Sequence, residues 1–218
     1  MRPTVSIVTP WKDQLGFLPA YLEAVKGADE VIVVDGGCTP ESKRVLMSVF
    51  GSVLHMPGEF SFSKACNKGI SVASGDIVIM LNNDVRRTGN WLDLVRAQVK
   101  RGALYGPELL RVTIAAAGVS APYISAWCLA ARRDVWAGLA GFDWETFTGG
   151  YWEDNDLCFR AVMADLSLVR VDWPILHLGN GTSGLNGRQT PQTLANMAAF
   201  EKRVCEAVYP PTGEGAAA

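Results

Sequence analysis

Apolar runs and polar turns alternate along the chain, and one junction between them is especially sharp. The run Ile77 to Leu81 is apolar at every position and is followed at once by Asn82, Asn83 and Asp84. An uninterrupted apolar run of this length is typical of a strand that is buried on both faces of a sheet. Ligands bind outside the carboxyl ends of the strands in open α/β sheets, so Asp84 is a candidate metal ligand. A simple turn accounts for the same three residues, because Asn and Asp favour turns.

The first half of the chain alternates strand and helix patterns. The predicted strands before Ile77 are 4–8, 31–34 and 53–56, and the predicted helices are 17–25, 39–50 and 61–73. Pro10 is expected to stop the first strand from continuing in a central ladder of hydrogen bonds, because proline has no N–H to donate. Asp35 follows the second strand as Asp84 follows Leu81. This alternation predicts a mostly parallel sheet with right-handed crossovers.

The second half has weaker signals. Helices are predicted at 91–101, with Asn90 as N-cap, at 133–139, from residue 153 and from residue 191, and strands at 112–116, 126–130, 167–171 and 174–178. Helical spacing predicts inward positions for Leu157, Phe159, Val162 and Met163 in the third of these helices. In the last helix it predicts them for Leu194, Met197, Val204 and Val208.

Three features of the second half carry candidate chemistry. Glu153, Asp154 and Asp156 open a helix; the helix dipole favours one or two acidic residues there, and three exceed what capping requires. His177 lies in an apolar run, where it is either a core residue or a ligand, and the polar loop 179–184 after it suits a phosphate. The Gly-rich and aromatic segment 147–152 is either a packing turn or a mobile segment that stacks on a ligand.

Composition narrows the class of protein. Of the 218 residues, 49% are hydrophobic and 19% are charged, and the formal charge of −2 gives no general attraction to polyanions. The five cysteines are odd in number and form no C-x-x-C pair, which predicts reduced thiols in a cytoplasmic protein rather than a disulfide framework or a zinc site. No apolar run approaches the roughly 20 residues that cross a bilayer, so no transmembrane segment is predicted.

The ordered set of motifs resembles the inverting nucleotide-sugar glycosyltransferases of family 2, which have the GT-A fold. The matching segments are 5–10, 30–37, 65–69, 81–84, 141–143, 153–160 and 177–179. The resemblance implies one α/β domain over 1–209, with a Rossmann-like, mostly parallel sheet flanked by helices and a smaller antiparallel acceptor-side portion. It implies a nucleotide-binding half, 1–85, and an acceptor half, 86–209. The tail 210–218 is predicted to be disordered.

The resemblance also assigns roles on the nucleotide side. Asp35 would hydrogen-bond the nucleobase, Thr9 and Pro10 would line its pocket, and Asn67 would lie close to the nucleotide. The family usually has a second Asp at position 36 and a Ser at position 38, where this chain has Gly and Cys. The preferred nucleobase is therefore open.

At the reacting centre, the turn after Leu81 corresponds to the DxD motif of the family. Asp84 would hold Mn²⁺ or Mg²⁺ on the diphosphate of the donor, with His177 as the second protein ligand. Asn82 stands where the family usually has an Asp and would contact the ribose, and Asn83 is the middle residue of the motif. A hard cation with oxygen ligands neutralises charge on a leaving diphosphate.

The resemblance makes Glu153 and Asp154 the catalytic pair, with Asp154 the expected base that takes the proton of the acceptor hydroxyl. It implies a hexosyltransferase-type enzyme whose donor is a nucleoside-diphosphate sugar. The acceptor is open between a glycan, a lipid-linked sugar, a protein side chain and a modified DNA base. Trp127, Tyr151 and Trp152 are candidate acceptor-binding residues.

Two other functional classes are weighed against the transferase. A binding-only pseudoenzyme would recognise a sugar nucleotide or a glycan without turnover. A nucleotidyltransferase is disfavoured because residues 9–13 after the first strand do not form a Gly-rich, basic loop. No P-loop string occurs in the chain, which argues against P-loop enzymes. The G-x-G-x-x-G string at 179–184 lies in the predicted polar loop and does not open a predicted helix, as the dinucleotide-binding fingerprint of a dehydrogenase would.

Overall fold

The computed structural model of the protein describes residues 2–56, 61–179 and 190–210. Eleven strands are present in this part of the chain: β1 (Val5–Trp11), β2 (Glu30–Asp35), β3 (Leu54–His55), β4 (Ile77–Leu81), β5 (Val85–Arg87), β6 (Ala103–Gly106), β7 (Leu109–Ile114), β8 (Val119–Ile124), β9 (Cys128–Arg132), β10 (Ser167–Arg170) and β11 (Ile175–His177). The α-helices are α1 (Leu18–Val25), α2 (Pro40–Phe50), α3 (Phe62–Val72), α4 (Trp91–Gln98), α5 (Arg133–Gly138), α6 (Glu153–Met163) and α7 (Pro191–Val208). Two 3₁₀ turns are Leu15–Phe17 and Ala115–Ala117.

A seven-stranded sheet in the order β10-β6-β9-β4-β1-β2-β3 forms the centre of the protein. Its neighbours are parallel except at β9, which is antiparallel to both β4 and β6. Two further sheets are two-stranded and antiparallel, β5 with β11 and β7 with β8. The predicted fold class is therefore confirmed: an α/β structure with a mostly parallel sheet and small antiparallel additions.

Strand β4 shows how the sheet divides the core into two layers. Successive side chains of a strand point to opposite faces of the sheet. Ile77, Ile79 and Leu81 accordingly pack with α1, α2 and α4, whereas Val78 and Met80 pack with α3, α5 and α6. All five residues are fully buried, as the apolar run predicts.

The helix starts in the first half also follow the sequence signals. The Thr39 hydroxyl caps α2 by accepting a hydrogen bond from the Ser42 N–H at 3.3 Å. The Ser61 hydroxyl caps α3 by accepting one from the Lys64 N–H at 3.4 Å. Side-chain oxygens at these positions satisfy N–H groups that have no partner within the helix.

Strand β1 corrects the prediction for Pro10. The strand continues to Trp11, and its pairing with β2 extends to Trp11 opposite Asp35. Its pairing with β4 ends at Val8. Pro10 therefore lies beyond the ladder on one side only, so the missing N–H limits β1 toward β4 and leaves the β2 edge intact.

The second half differs more from the predictions. Strands β5, β6 and β8 were not predicted, β7 and β9 are offset from the predicted ranges, and α4 ends at Gln98 instead of residue 101. The Asn90 side chain gives α4 no cap hydrogen bond to the backbone and donates to the Asp93 carboxylate instead, at 2.6 Å. The outer faces of α6 and α7 expose Val162, Met163, Leu194 and Val208, which had been predicted to point inward.

Two predicted segments fall largely outside the described residues. They are the polar loop after Gly179, from residue 180, and the tail from residue 211. The predicted boundary between the halves, at residues 85 and 86, lies within β5. The division of the chain into those halves stays a prediction.

Candidate active site

The turn that follows β4 presents unpaired polar atoms at the carboxyl end of the sheet. The Asn82 N–H donates to the Trp127 carbonyl at 2.8 Å, which fixes the start of the turn. Asp84 is 1% exposed. Its Oδ2 atom and the Oδ1 atom of Asn82 are buried without a hydrogen-bond partner. Buried polar atoms are nearly always paired, so these two oxygens indicate a place for a bound group.

The β5–β11 ribbon brings His177 to this turn. His177 lies opposite Val85 in the ribbon, and the Leu178 N–H donates to the Asp84 carbonyl at 2.8 Å. The His177 Nε2 atom is 3.1 Å from the Asp84 Oδ1 atom, across 93 residues of sequence. The Asn82 amide nitrogen is 3.5 Å from the same Nε2 atom. Asn82 and Asp84, predicted from one motif, and His177, predicted from another, therefore form one cluster.

These donors fit a divalent cation. A carboxylate with a free oxygen, together with an imidazole, provides ligands that Mn²⁺ accepts, and phosphate oxygens and water complete such sites. No group of three or more His, Cys, Asp or Glu side chains suited to a metal occurs among the described residues. Any ion held by Asp84 and His177 therefore needs further ligands other than a third His, Cys, Asp or Glu of the described residues, such as phosphate oxygens and water.

Trp127 orients the His177 ring. The two rings are stacked, with centroids 5.1 Å apart and an angle of 3° between the planes. Trp127 is 7% exposed, and its indole N–H donates to the Glu108 carboxylate at 3.1 Å. Trp127 thus packs as a buried support for His177, and its contact with an acceptor stays a prediction.

The carboxylates of Glu153 and Asp154 lie in the first turn of α6. The Asp154 Oδ2 atom accepts from the Ala126 N–H at 3.2 Å, and Oδ1 accepts from the Asn155 N–H at 2.9 Å. Ala126 directly precedes Trp127. The residue that donates to Asp154 and the residue that stacks on His177 are therefore neighbours in the sequence. Asp154 is thus connected to the Asp84–His177 pair through Ala126 and Trp127.

Burial raises the pKa of both carboxyl groups. For Asp154, burial and the negative charge of Glu108 outweigh the hydrogen bonds from the backbone, which act in the opposite direction. For Glu153, burial and the charge of Asp154 act together, and its Oε2 atom is buried without a partner. A carboxyl group with a raised pKa is a stronger base once it has lost its proton.

Asp35 is already saturated with hydrogen-bond donors. Its Oδ1 atom accepts from the N–H groups of Gly37 and Cys38 at 2.9 and 2.7 Å. Its Oδ2 atom is 2.9 Å from the Lys43 ammonium and 2.8 Å from the His55 Nδ1 atom. Burial opposes ionisation, but these four donors outweigh it and hold the pKa well below the usual range of a carboxyl group. A direct contact with a nucleobase would require one of them to be displaced.

Other residues predicted for the nucleotide pocket have structural partners. The Thr9 hydroxyl is buried and lies 2.6 Å from the Tyr21 hydroxyl. Pro10 is buried within β1, and Asn83 is half-buried. The Asn67 amide donates to the Phe142 carbonyl at 2.7 Å and accepts from the Phe142 N–H at 2.8 Å. Thr9 and Asn67 therefore stabilise the scaffold here, and their predicted contact with a nucleotide stays a prediction.

The aromatic residues before α6 belong to a packed turn. The Trp152 ring lies 5.7 Å from the Phe200 ring of α7, and Tyr151 is half-buried. Of the two alternatives for this segment, packing is the one that the contacts support for Trp152.

An open cavity of about 440 Å³ adjoins the Asp35 end of the sheet. Its lining includes His55, Lys64, Asn67, Lys68 and Trp144, with the Lys64 ammonium 4.7 Å from the centre of the Trp144 ring. Sequence reasoning missed Lys64, Lys68 and Trp144, as well as Glu108 beside Trp127. No local pattern identifies them, because their neighbours in space are distant in sequence.

Within the described residues, no helix is both long enough and apolar enough to cross a bilayer.

Comparisons with known proteins show what part of the chain is similar to a known family. Residues 6–106 match the model described as Glycosyl transferase family 2. An uncharacterized protein of Sinorhizobium fredii is 27% identical over 221 residues, covering 80% of this chain and 24% of that protein. A TPR repeat-containing protein of Synechococcus elongatus is 30% identical over 112 residues, covering 50% of this chain and 26% of that protein. The chain spans about a quarter of the length of these curated relatives.

Solved structures resemble the fold. A mannosyltransferase from Pyrobaculum calidifontis in complex with GDP-Man and Mn²⁺ superposes with a TM-score of 0.60 at 16% identity, covering 78% of this chain and 55% of that one. Glucosyl-3-phosphoglycerate synthase from Mycobacterium tuberculosis, in complex with Mg²⁺ and UDP, gives 0.61 at 19% identity, covering 92% and 80%. At such identities the likeness concerns the fold. The chain is thus similar to glycosyl transferase family 2 over residues 6–106, and it has the GT-A fold.

Proposed function

We propose that this chain transfers a sugar from a nucleoside-diphosphate sugar to an acceptor hydroxyl, with inversion at the anomeric carbon and with a divalent cation. The observation that carries the proposal is the cluster of Asn82, Asp84 and His177, in which two buried oxygens have no partner. The match of residues 6–106 to the family model and the GT-A fold support the donor class.

Asp84 and His177 are the residues that would hold the cation. The unpaired Asp84 Oδ2 atom and the imidazole of His177 are the available donors. When bound, Mn²⁺ or Mg²⁺ neutralises the negative charge that develops on the leaving nucleoside diphosphate. The partnerless Asn82 Oδ1 atom is free to accept a hydrogen bond from a hydroxyl of the donor, and Asn83 lines the same turn.

Asp154 is the residue that we assign as general base. An acceptor hydroxyl is a poor nucleophile near neutral pH, so a carboxylate must take its proton during the attack. The two backbone N–H groups hold the Asp154 carboxylate in one orientation, and its raised pKa increases its basicity. Attack from the side opposite the leaving diphosphate inverts the anomeric centre. Glu153 is the buried carboxyl group next to this base, and we assign it no proton transfer of its own.

The proposal leaves the nucleotide of the donor and the class of the acceptor open. The solved relatives were captured with GDP-Man and with UDP, so guanine and uracil nucleotides are the first donors to test. The acceptor is a glycan, a lipid-linked sugar, a protein side chain or a modified DNA base. Residues Tyr151 and Trp152 stay candidates for contact with it, and a cytoplasmic location stays a prediction.

Calorimetric titration with UDP, GDP and dTDP, with and without Mn²⁺, tests the proposal. We expect one nucleotide to bind in a metal-dependent manner, and Asp84→Ala to abolish that binding because it removes the carboxylate ligand. Asp172→Ala is the matched control, since the Asp172 side chain is 85% exposed and its recorded ion pair is with Arg170 at the surface. A folded parent protein that binds none of the three nucleotides would falsify the transferase assignment. Binding without any release of nucleotide from a sugar donor would instead identify a binding-only protein.

A further inference from the structure

The four residues that precede the catalytic pair adopt an unusual backbone. Gly149, Gly150, Tyr151 and Trp152 all have positive φ angles, of 74°, 87°, 67° and 74°. Glycine accepts this conformation readily, but an aromatic residue rarely does, and two in succession store strain. Trp152 is also the N-cap residue of α6 and makes no side-chain cap hydrogen bond. The start of the helix that carries Glu153 and Asp154 is therefore set by something other than its local sequence.

Asn196 of α7 supplies the missing restraint. Its side-chain nitrogen lies 2.9, 3.2 and 3.0 Å from the carbonyl oxygens of Thr148, Gly150 and Tyr151. One amide group thus contacts three of the five carbonyls in the 148–152 loop. Asn196 is 1% exposed, so water does not compete for these hydrogen bonds.

The orientation of the Asn196 amide is itself fixed. Its Oδ1 atom accepts from the Gln192 side-chain nitrogen at 2.9 Å, one helical turn earlier. This contact turns the Asn196 nitrogen, with its two N–H groups, toward the loop. The loop also approaches this pair closely, because a Cβ atom on Gly149 would lie 3.2 Å from the Gln192 Cγ atom.

The same face of α7 holds α6 directly. Phe200 packs against Trp152, and one turn later Arg203 pairs with the buried Asp156 carboxylate and, at 2.8 Å, with Asp143. Residues 196, 200 and 203 recur at the spacing of one helix face. This face therefore contacts the chain on both sides of Glu153 and Asp154.

We infer that Asn196 is a positioning residue of the reaction, which holds the strained 148–152 loop so that Asp154 faces the acceptor hydroxyl. The inference rests on the proposed function of Asp154 and goes beyond it, because α7 lies outside the matched residues 6–106. Strained backbone persists only where its surroundings fix it, and such strain concentrates at functional sites.

Asn196→Asp is the sharpest test, because it keeps the shape of the side chain and replaces both N–H donors by an oxygen facing three carbonyls. Gln192→Ala is the second variant: it removes the amide that orients Asn196, and residue 192 is exposed. Lys202→Ala is the control on the same helix, since the Lys202 side chain is 76% exposed. Two measurements are made on each: hydrolysis of UDP-glucose or GDP-mannose with Mn²⁺, and amide hydrogen exchange over residues 148–156.

We expect Asn196→Asp to lower kcat by roughly 10- to 100-fold, because a small displacement of a reacting group has effects of this order. The KM for the donor should stay at the parental value, and exchange in the 148–152 loop should accelerate. Gln192→Ala should show a smaller change in the same direction, and Lys202→Ala none. An unchanged kcat and unchanged exchange in both variants would overturn the inference. So would an equal loss of kcat, nucleotide affinity and thermal stability, which would mark Asn196 as a fold stabiliser only.

The two proposals fail separately. If the parent protein binds no nucleotide, the transferase assignment fails. The exchange measurement then decides the role of Asn196 by itself: faster exchange confined to 148–152 supports control of this loop, and parental exchange overturns it.

Discussion

Two adjacent carboxylates at the start of α6 have different surroundings, and this separates their roles. Asp154 is half-buried and accepts two backbone hydrogen bonds. Glu153 is 6% exposed and has an oxygen without a partner. Its pKa is raised by burial and by the charge of Asp154, so Glu153 keeps its proton at higher pH than an ordinary glutamate. When two neighbouring carboxyl groups have different pKa values, one can act as the base while the other keeps its proton. In the proposed reaction Asp154 is the base and Glu153 is the protonated neighbour.

The pH dependence of turnover should follow Asp154. A base acts only when deprotonated, and burial raises the pKa of Asp154, so the rate should rise with pH at values above those of an ordinary aspartate. Glu108→Gln removes a negative charge that raises this pKa and keeps an oxygen for the Trp127 N–H. The acidic limb of the kcat profile should therefore move to lower pH, as measured by nucleotide release between about pH 4 and 9.

Asp154→Asn provides the control for that profile. It should remove the limb and reduce kcat by about 10²- to 10⁴-fold, the usual contribution of a general base. Nucleotide affinity should persist. An acidic limb that stays in place in Glu108→Gln would point to another titrating group.

At the scale of elements, the approach of α3 to the sheet depends on one glycine. A Cβ atom at Gly69 would lie 2.2 Å from the Val8 Cγ1 atom of β1 and 3.1 Å from the Val34 Cγ2 atom of β2. Both contacts are shorter than van der Waals distances allow, and the valines are buried. Helix α3 can therefore pack on β1 and β2 at this distance only without a side chain at position 69.

Gly69→Ala should lower the free energy of unfolding by about 1–3 kcal/mol, the usual cost of overpacking a core. Urea denaturation measures this change. Gly138→Ala is the matched control, since no atom lies within 4 Å of its added Cβ atom. Alanine reduces the entropy of the unfolded chain there, so stability should be equal or slightly higher. Equal stability of the two variants would show that α3 shifts to accommodate the methyl group.

Some secondary-structure elements can be predicted from local sequence signals, and others cannot. Buried runs and caps such as Ile77–Leu81, Thr39 and Ser61 are local signals, and the structure follows them. Strand β5 has three residues, two of them arginine, and it exists only because β11 pairs with it. In α7 the apolar pattern pointed Leu194 inward, whereas the helix buries Asn196, whose partners are the carbonyls of a distant loop.

The residues of the candidate site likewise divide into those that a local motif reveals and those that only a tertiary contact reveals. Motifs point to Asp84, His177 and Asp154, and the structure brings Asp84 and His177 together. The pattern of apolar positions cannot reveal that Trp127 supports His177 or that Glu108 influences Asp154, because these relations depend on tertiary contacts. Departures from local rules are expected where residues serve a site.

At the scale of the whole molecule, ligand binding should be linked to global stability. The Asp84–His177 pair forms only when β5 and β11 are paired, so cation and nucleotide should bind the folded state alone. At a nucleotide concentration of 100 times Kd, the stabilisation amounts to about 2.7 kcal/mol. Differential scanning calorimetry with Mn²⁺ and increasing nucleotide should show a rising Tm.

Asp84→Ala should lose the metal-dependent part of that rise, and Asp172→Ala should keep it. A Tm that is independent of nucleotide in the parent protein, at concentrations that saturate binding, would contradict a link between the pair and the folded state.

The β5–β11 ribbon also bears on the order in which the protein is made. Asp84 leaves the ribosome 93 residues before His177, an interval of roughly 5–20 s at ordinary rates of synthesis. Strand β9, the neighbour of β4 in the finished sheet, also follows β4 only after a long delay. The nascent chain thus carries only one residue of the proposed ion-binding pair for seconds. If the proposal holds, only chains synthesised at least through His177 will bind metal and nucleotide.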